Sequence, residues 1–288
     1  MYSITLTPKR ISLSEWTTIG IGGIAENFYE PQSPEETCLL LYRLKLEGQK
    51  PFILGAGSKV VIQDGSFKHP VISMRNINNL KFDGDMIYAG AGIMLPHLIK
   101  CCIERGLGGI EVLCGIPATV GGAICMNAGT RYGAIADFVD SVDFVNSDGL
   151  FSKKKNQISF GYRRGPVDGD AVVVGVWLRL TREKKSRLSE RMNMILRERA
   201  LTQPYEKPSA GCVFKNPSAT QSAGYLIDRV GLKGFRIGGA QISTKHANFI
   251  VNIGNATFDD VKNLIEVAKK RVKQVFGIEL ELEIRLIY

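Results

Sequence analysis

Chemistry in this chain is most legible where glycine, small polar residues and single charged groups cluster. Leu54-Gly55-Ala56-Gly57-Ser58 directly follows the strand-like Pro51-Phe52-Ile53-Leu54. Glycines in such a turn let backbone N–H groups reach a phosphate with no Cβ in the way. The spacing is not the Rossmann fingerprint, because Val60 stands at the third glycine position and no βαβ unit surrounds the motif. A plain tight turn would use the same residues. A second stretch, Gly115-Ile116-Pro117-Ala118-Thr119-Val120-Gly121-Gly122-Ala123, leads to Asn127-Ala128-Gly129. It could wall a cavity for a pyrophosphate or an isoalloxazine edge, or be a closely packed structural loop. Two glycine loops without a Rossmann unit favour flavin over nicotinamide.

Three further stretches each admit two readings. Phe160-Gly161-Tyr162-Arg163-Arg164 is either a charged strand end or part of a site. Cys212 follows Gly211 in a loop bounded by Pro208 and Pro217, which suits an accessible thiol but also a buried structural one. Glu283 lies on the polar side of an alternating segment near the end of the chain, where a surface ion-pair partner is the simpler role.

Composition narrows the class. With 288 residues, 44% apolar and 23% charged, the chain suits two or three packed globular domains. The net charge of +9 suits solubility and small anionic ligands. The one dense basic cluster, Lys153-Lys154-Lys155, lacks interleaved aromatics and sits beside the turn-like Asn146-Ser147-Asp148-Gly149, so nucleic-acid binding is not expected. Six cysteines without a Cys-x-x-Cys pair and three scattered histidines predict neither a metal site nor a disulfide framework. The longest apolar run, 171–178, is far short of the ~20 residues of a membrane helix. Residues 1–6 lack a basic start and an apolar core, so no secretory signal and a cytoplasmic location are expected.

The elements that must position these residues alternate between helix and strand, an α+β pattern. Ser33-Pro34-Glu35-Glu36 predicts a capped helix ending near Gly48. Leu95, Leu98, Ile99 and Cys102 predict another, stopping at Gly106. Residues 116–133 show little helical periodicity and read as a long functional loop. Residues 172–180 read as a buried central strand. Composition shifts at 181–186, the expected domain boundary. Beyond it come a charged amphipathic helix, a helix with Leu226, Ile227 and Val230, and one from Phe258 to Phe276 with Val261, Leu264, Ile265, Ala268, Val272 and Val275 on one face. The final segment alternates Leu280, Leu282, Ile284 and Leu286 against Glu281, Glu283 and Arg285, predicting a strand with one buried and one polar face.

Taken in order, these segments resemble the bacterial UDP-N-acetylenolpyruvoylglucosamine reductases over 17–287. The markers are Thr17-Thr18 to Ile21-Gly22-Gly23, the two glycine loops, Gly161-Tyr162-Arg163, 211–217, Leu232-Lys233-Gly234 to Ile237-Gly238-Gly239-Ala240, Lys245-His246-Ala247-Asn248-Phe249 and Leu282-Glu283-Ile284-Arg285. The short stretch between Arg163 and Cys212 fits the branch without an extra tyrosine-bearing loop. The resemblance implies a two-lobed FAD-binding domain of the vanillyl-alcohol-oxidase type over 1–182 (lobes about 1–72 and 73–182), then an α+β substrate-binding domain over 183–288. It implies noncovalent FAD lined by Gly55, Ala56, Gly57, Ser58, Gly115, Ile116, Pro117, Ala118, Thr119, Gly121, Gly122, Asn127 and Gly129. It also implies NADPH as hydride donor, the enolpyruvyl ether of UDP-N-acetylglucosamine as substrate, and UDP-N-acetylmuramate as product. A monomer is expected.

The family's catalytic trio falls on Arg163, Cys212 and Glu283. The implied reaction takes a hydride from flavin N5 to C3 of the enolpyruvyl group and a proton from Cys212 to C2, while Arg163 stabilises the negative charge that develops and Glu283 orients or polarises the same system. Tyr162, Lys215 and Asn216 are expected at the sugar nucleotide; for Lys215 and Asn216, satisfying a nearby loop or helix end is the competing use. Cys212 stands where many members have serine; a thiol, with an ordinary pKa near ~8.5, still holds its proton at neutral pH. Other departures are Lys59 for asparagine, Ala118 for glycine, Gly165 for serine, and one residue added at Thr130-Arg131.

Overall fold

Ser33 starts the first helix: its Oγ accepts the Glu36 N–H at 3.1 Å, and Pro34 takes the first helical position. Helix α1 (Pro34–Leu46) stops before Gly48, which turns left-handed at φ 67°. Leu40, Leu41 and Leu44 face inward, in one cluster with Ile72, Met74, Val145 and Val174. The computed structural model describes residues 6–218 and 220–288. Residues 1–5, which carry most of the expectation of no secretory signal, lie outside the described residues.

The chain divides into two compact units. The first takes the chain up to Lys9, then Asn27–Ala56 and Lys68–Arg197; the second takes Arg10–Glu26, Gly57–Phe67 and Glu198–Tyr288. Composition marks a change at 181–186, yet the second unit also draws in two earlier segments. Strand pairing does this for the later one: Val60–Ile62 runs parallel to Arg285–Ile287. Composition does not register a partner so far along the chain.

The first unit is built on an antiparallel sheet in the order Gly149–Lys154, Val139–Asn146, Val172–Arg179, Met86–Gly90, Leu80–Asp83. Val172–Arg179 is central, as its unbroken apolar run implies. Helix α2 (Leu95–Ile103) buries Leu98, Ile99 and Cys102 in the same cluster as Val142, Val176 and Leu178 of the sheet. Burial pushes the Cys102 thiol up to about 12, with Cys101 adding to the effect. The basic cluster lies on the edge hairpin, where Asn146 Oδ1 accepts from Asp148 and Gly149, and Lys154 pairs with Asp140 at 3.2 Å.

Residues 116–133 are not the continuous loop that their glycine content suggests. They contain helix α3 (Val120–Cys125), capped by Thr119, whose Oγ1 accepts the Gly122 N–H at 3.2 Å. Glycine is a poor helix former, so Gly121 and Gly122 hide this helix from sequence periodicity. A Cβ on Gly121 would stand 2.8 Å from that of Ala91, so close packing fixes the residue. Helix α4 (Lys185–Thr202) then leads into the second unit.

The second unit holds an antiparallel sheet in the order Ser209–Cys212, Phe249–Asn252, Ala240–Ile242, Arg236–Ile237. Helices α5 (Ala223–Arg229) and α6 (Phe258–Phe276) share its core. Thr257 and Asp260 form a reciprocal capping box at the start of α6, and Gly277 ends it at φ 71°. Val261, Leu264, Ile265, Ala268 and Val272 are buried as expected, but Val275 is 65% exposed because the last turn runs past the core. The final segment also departs from its alternation. Only Arg285–Ile287 is a strand, and Glu283 and Ile284 are both buried at a bend. No helix among the described residues is long and apolar enough to cross a membrane.

Gly121→Ala weighs two opposed effects. Helix propensity favours alanine by about 1 kcal/mol, whereas overpacking a rigid contact costs about 1–3 kcal/mol. Calorimetry is expected to show a lower unfolding midpoint; an unchanged or higher one would mean that Ala91 yields.

Candidate active site

The bend at Glu283 has a specific cause. The N–H groups of Glu283 and Ile284 both donate to the Val213 carbonyl, at 2.8 and 3.3 Å. Two neighbouring amides on one acceptor break the extended geometry, and with it the outward direction expected for residue 283. The Glu283 side chain is only 6% exposed, not the surface ion-pair partner that its position in the alternation suggested. Its carboxylate Oε1 lies 2.6 Å from Nζ of Lys59. The same ammonium donates to the Cys212 carbonyl at 2.9 Å. One cation thus touches both the carboxylate and the backbone that carries the thiol.

Cys212 is half-buried at the end of its strand, paired with Phe249. Register slips between Ser209 and Cys212, and Gly211 is left-handed at φ 72°, a bulge that re-aims the residues after it. The loop is clamped at both ends. Thr18 accepts the Ser209 N–H at its carbonyl (3.1 Å) and donates its hydroxyl to the Ser209 carbonyl (2.7 Å). Buried Asn248 accepts the Phe214 N–H at 2.9 Å and donates to the Phe214 carbonyl at 2.8 Å, while its own carbonyl accepts from Val213. The Thr17-Thr18 and Lys245 to Phe249 markers therefore hold the cysteine loop in place.

Arg163 belongs to the first unit. Gly161 and Arg164 exchange backbone bonds of 2.8 and 3.2 Å, leaving Tyr162 and Arg163 at the tip of a two-residue turn. Arg163 adopts φ 55°, a left-handed conformation that a non-glycine residue rarely takes and that costs about 1–2 kcal/mol. Such strain is a feature of functional positions. Its Nη1 donates to the Gly129 carbonyl at 3.0 Å, and its guanidinium lies 5.3 Å from the Tyr162 ring centre. Asn127, itself at φ 42°, donates to the Gly161 carbonyl at 2.9 Å and ties this turn to the second glycine loop. A Cβ on Gly165 would stand 1.9 Å from the Ile124 carbonyl oxygen, so glycine there admits the turn against the end of α3.

The two glycine loops differ in what their amides do. Gly55 and Thr119 meet: a Cβ on Gly55 would stand 2.5 Å from Thr119 Oγ1. Among the described residues nothing accepts from the N–H groups of Gly55, Ala56, Gly57 or Ser58. A run of backbone donors on a glycine turn fits the phosphate oxygens of a dinucleotide. In the second loop, by contrast, the N–H groups of Ile116, Ala118, Val120, Gly121 and Gly122 are bonded within the protein. That loop shapes a wall more than it offers donors.

Of the residues expected at the sugar nucleotide, Tyr162 is 56% exposed. Lys215 pairs with Glu281, and the Asn216 side-chain oxygen accepts the Ala223 N–H at the start of α5. Both engage the local structure that competed with a ligand role. Sequence reading gave no role to Lys59 or Asn248. Lys59 stood out only as a departure from asparagine beside the first glycine loop, and Asn248 only as part of a marker.

The sequence pattern of an FAD binding domain matches residues 25–153, and that of the UDP-N-acetylenolpyruvoylglucosamine reductase C-terminal domain matches 203–287. The UDP-N-acetylenolpyruvoylglucosamine reductase of Moorella thermoacetica is 42% identical over 275 residues, covering 95% of this chain and 91% of its own. That of Thermotoga petrophila is 39% identical, with 95% and 96% covered. The chain belongs to the UDP-N-acetylenolpyruvoylglucosamine reductase family. The crystal structure of the Thermus caldophilus reductase superposes with a TM-score of 0.86 at 36% identity, covering 98% of this chain and all of that one. As a family member the chain is an FAD-dependent oxidoreductase of α+β fold, and the open donors of Gly55 to Ser58 are consistent with that cofactor.

Two outcomes follow. Asn248→Leu strands the Phe214 N–H and C=O, each worth about 1–3 kcal/mol when buried unmet. It is expected to lower the unfolding midpoint and to speed hydrogen exchange at Phe214; unchanged exchange there would show that another group holds the strand. Burial, with Lys233 beside it, holds the His246 imidazole below its ordinary range. The folded state therefore binds this proton less readily than the unfolded chain. The stability His246 contributes is present above the ordinary histidine value and is lost as pH falls through its lower folded one. Denaturant titrations of the parent and His246→Gln should converge toward acid pH; parallel curves would contradict this.

Proposed function

We propose that this protein reduces the enolpyruvyl ether of UDP-N-acetylglucosamine to UDP-N-acetylmuramate, a step in peptidoglycan precursor synthesis. NADPH is the reductant, and the protein works as a cytoplasmic monomer. The reading is carried by one observation: Cys212 and Glu283, far apart in sequence, share contact with a single ammonium group. A backbone that carries an acid, tied in this way to a carboxylate, suits protonation of a carbon next to a carboxylate.

FAD, when bound, supplies the hydride that this reduction needs. We assign residues 1–182 to FAD binding, with the Gly55 to Ser58 amides on its phosphates, and residues 183–288 to the substrate. The thiol of Cys212 holds the proton destined for C2, and its half-buried position limits exchange with water. Glu283 orients the reacting group or polarises it. Arg163, presented at the tip of its strained turn, is assigned to the developing negative charge, where a preformed guanidinium needs no reorganisation. Lys215 and Asn216 are candidates for the diphosphate, reached when Lys215 leaves Glu281.

Purified protein is expected to be yellow, to release FAD on denaturation, and to oxidise NADPH faster when the enolpyruvyl UDP-sugar is present. NADPH oxidation that ignores the sugar nucleotide and yields no product would reject the assignment. Cys212→Ser should keep much of the activity. Cys212→Ala should still let NADPH bleach the flavin but lose turnover by about 10²-fold or more, the usual scale of a positioned acid; full turnover would remove the thiol from the mechanism.

A further inference from the structure

The Lys59 ammonium bonds at once to the Glu283 carboxylate, at 2.6 Å, and to the Cys212 carbonyl, at 2.9 Å. Its backbone is tied to the same neighbourhood, since the Lys59 carbonyl accepts the Arg285 N–H at 2.9 Å. Val60–Ile62, which follows it, pairs with Arg285–Ile287, so the lysine cannot slide relative to Glu283. Gly211 leaves room for the ammonium: a Cβ there would stand 3.3 Å from Nζ. The side chain is 28% exposed, and the neighbouring lysine, Lys215, is paired with Glu281 instead.

We infer that Lys59 is a positioning residue of the reaction, fixing the Cys212 backbone against the Glu283 carboxylate so that thiol and carboxylate act on one substrate atom. An amide or an apolar side chain at residue 59 cannot supply a cation to the carboxylate while donating to the carbonyl. Arginine can do both, because its planar fork carries several donors. The inference rests on reading Cys212 and Glu283 as reacting groups.

The test compares the FAD-loaded parent with Lys59→Met and Lys59→Arg. Lys59→Met is expected to lower kcat at least tenfold, with the KM for the enolpyruvyl UDP-sugar changed less than threefold. The rate at which NADPH bleaches the flavin, measured without the sugar nucleotide, should be unchanged. Lys59→Arg should recover most of kcat. In the protein without substrate, Glu283→Gln should shrink the difference in unfolding midpoint between the parent and Lys59→Met, leaving only what the bond to the Cys212 carbonyl contributes. A Lys59→Met enzyme with parental kcat overturns the inference, as does an arginine variant no better than methionine at equal FAD content and unfolding midpoint. A parent with no substrate-dependent turnover rejects the proposed function itself. The midpoint comparison then still decides whether lysine and carboxylate are coupled.

Discussion

A carboxylate taken out of water needs a cation or several donors, and leaving one alone costs about 3–5 kcal/mol. Glu283 is such a group, and its burial constrains much of the second unit. Lys59 has to be delivered to it from the far end of the chain. The parallel pairing of Val60–Ile62 with Arg285–Ile287 does this, and it draws Gly57–Phe67 into a unit made mostly from the last third of the protein. The inclusion of Gly57–Phe67 and the paired carboxylate have the same origin.

The thiol is held by a different kind of restraint. Thr18 and Asn248 take up the backbone groups on either side of the Gly211 bulge, in place of regular ladder bonds. An irregular strand is thereby kept rigid, which the proton donor proposed at Cys212 requires: its hydrogen must meet the substrate carbon from one direction. The family markers around Thr17-Thr18 and Asn248 make sense as scaffolding, not as substrate contacts.

The glycines have separate duties. Gly121 and Gly165 admit close packing, where a methyl group would stand against a neighbouring methyl or carbonyl. Gly55 to Ser58 instead leave their amides open, the arrangement a phosphate wants. Arg163 is presented by a strained two-residue turn that Asn127 and Gly165 support from behind. A long flexible side chain becomes directed because its backbone is.

The sequence by itself determined the local elements whose signals are local. The Ser33 and Thr257 caps, the apolar run of Val172–Arg179 and the one-sided face of α6 each express a preference that neighbouring residues settle among themselves. It also carried the family, through markers spread over nearly the whole chain. Tertiary structure decided whatever needed a partner from elsewhere. Helix α3 exists despite its glycines because Gly121 packs on Ala91. Glu283 turns inward because two amides share the Val213 carbonyl, a bend that alternating polarity cannot encode. Lys59 acquires its place only when Val60–Ile62 pairs with Arg285–Ile287, since an ion pair leaves no trace in the residues adjacent to either partner.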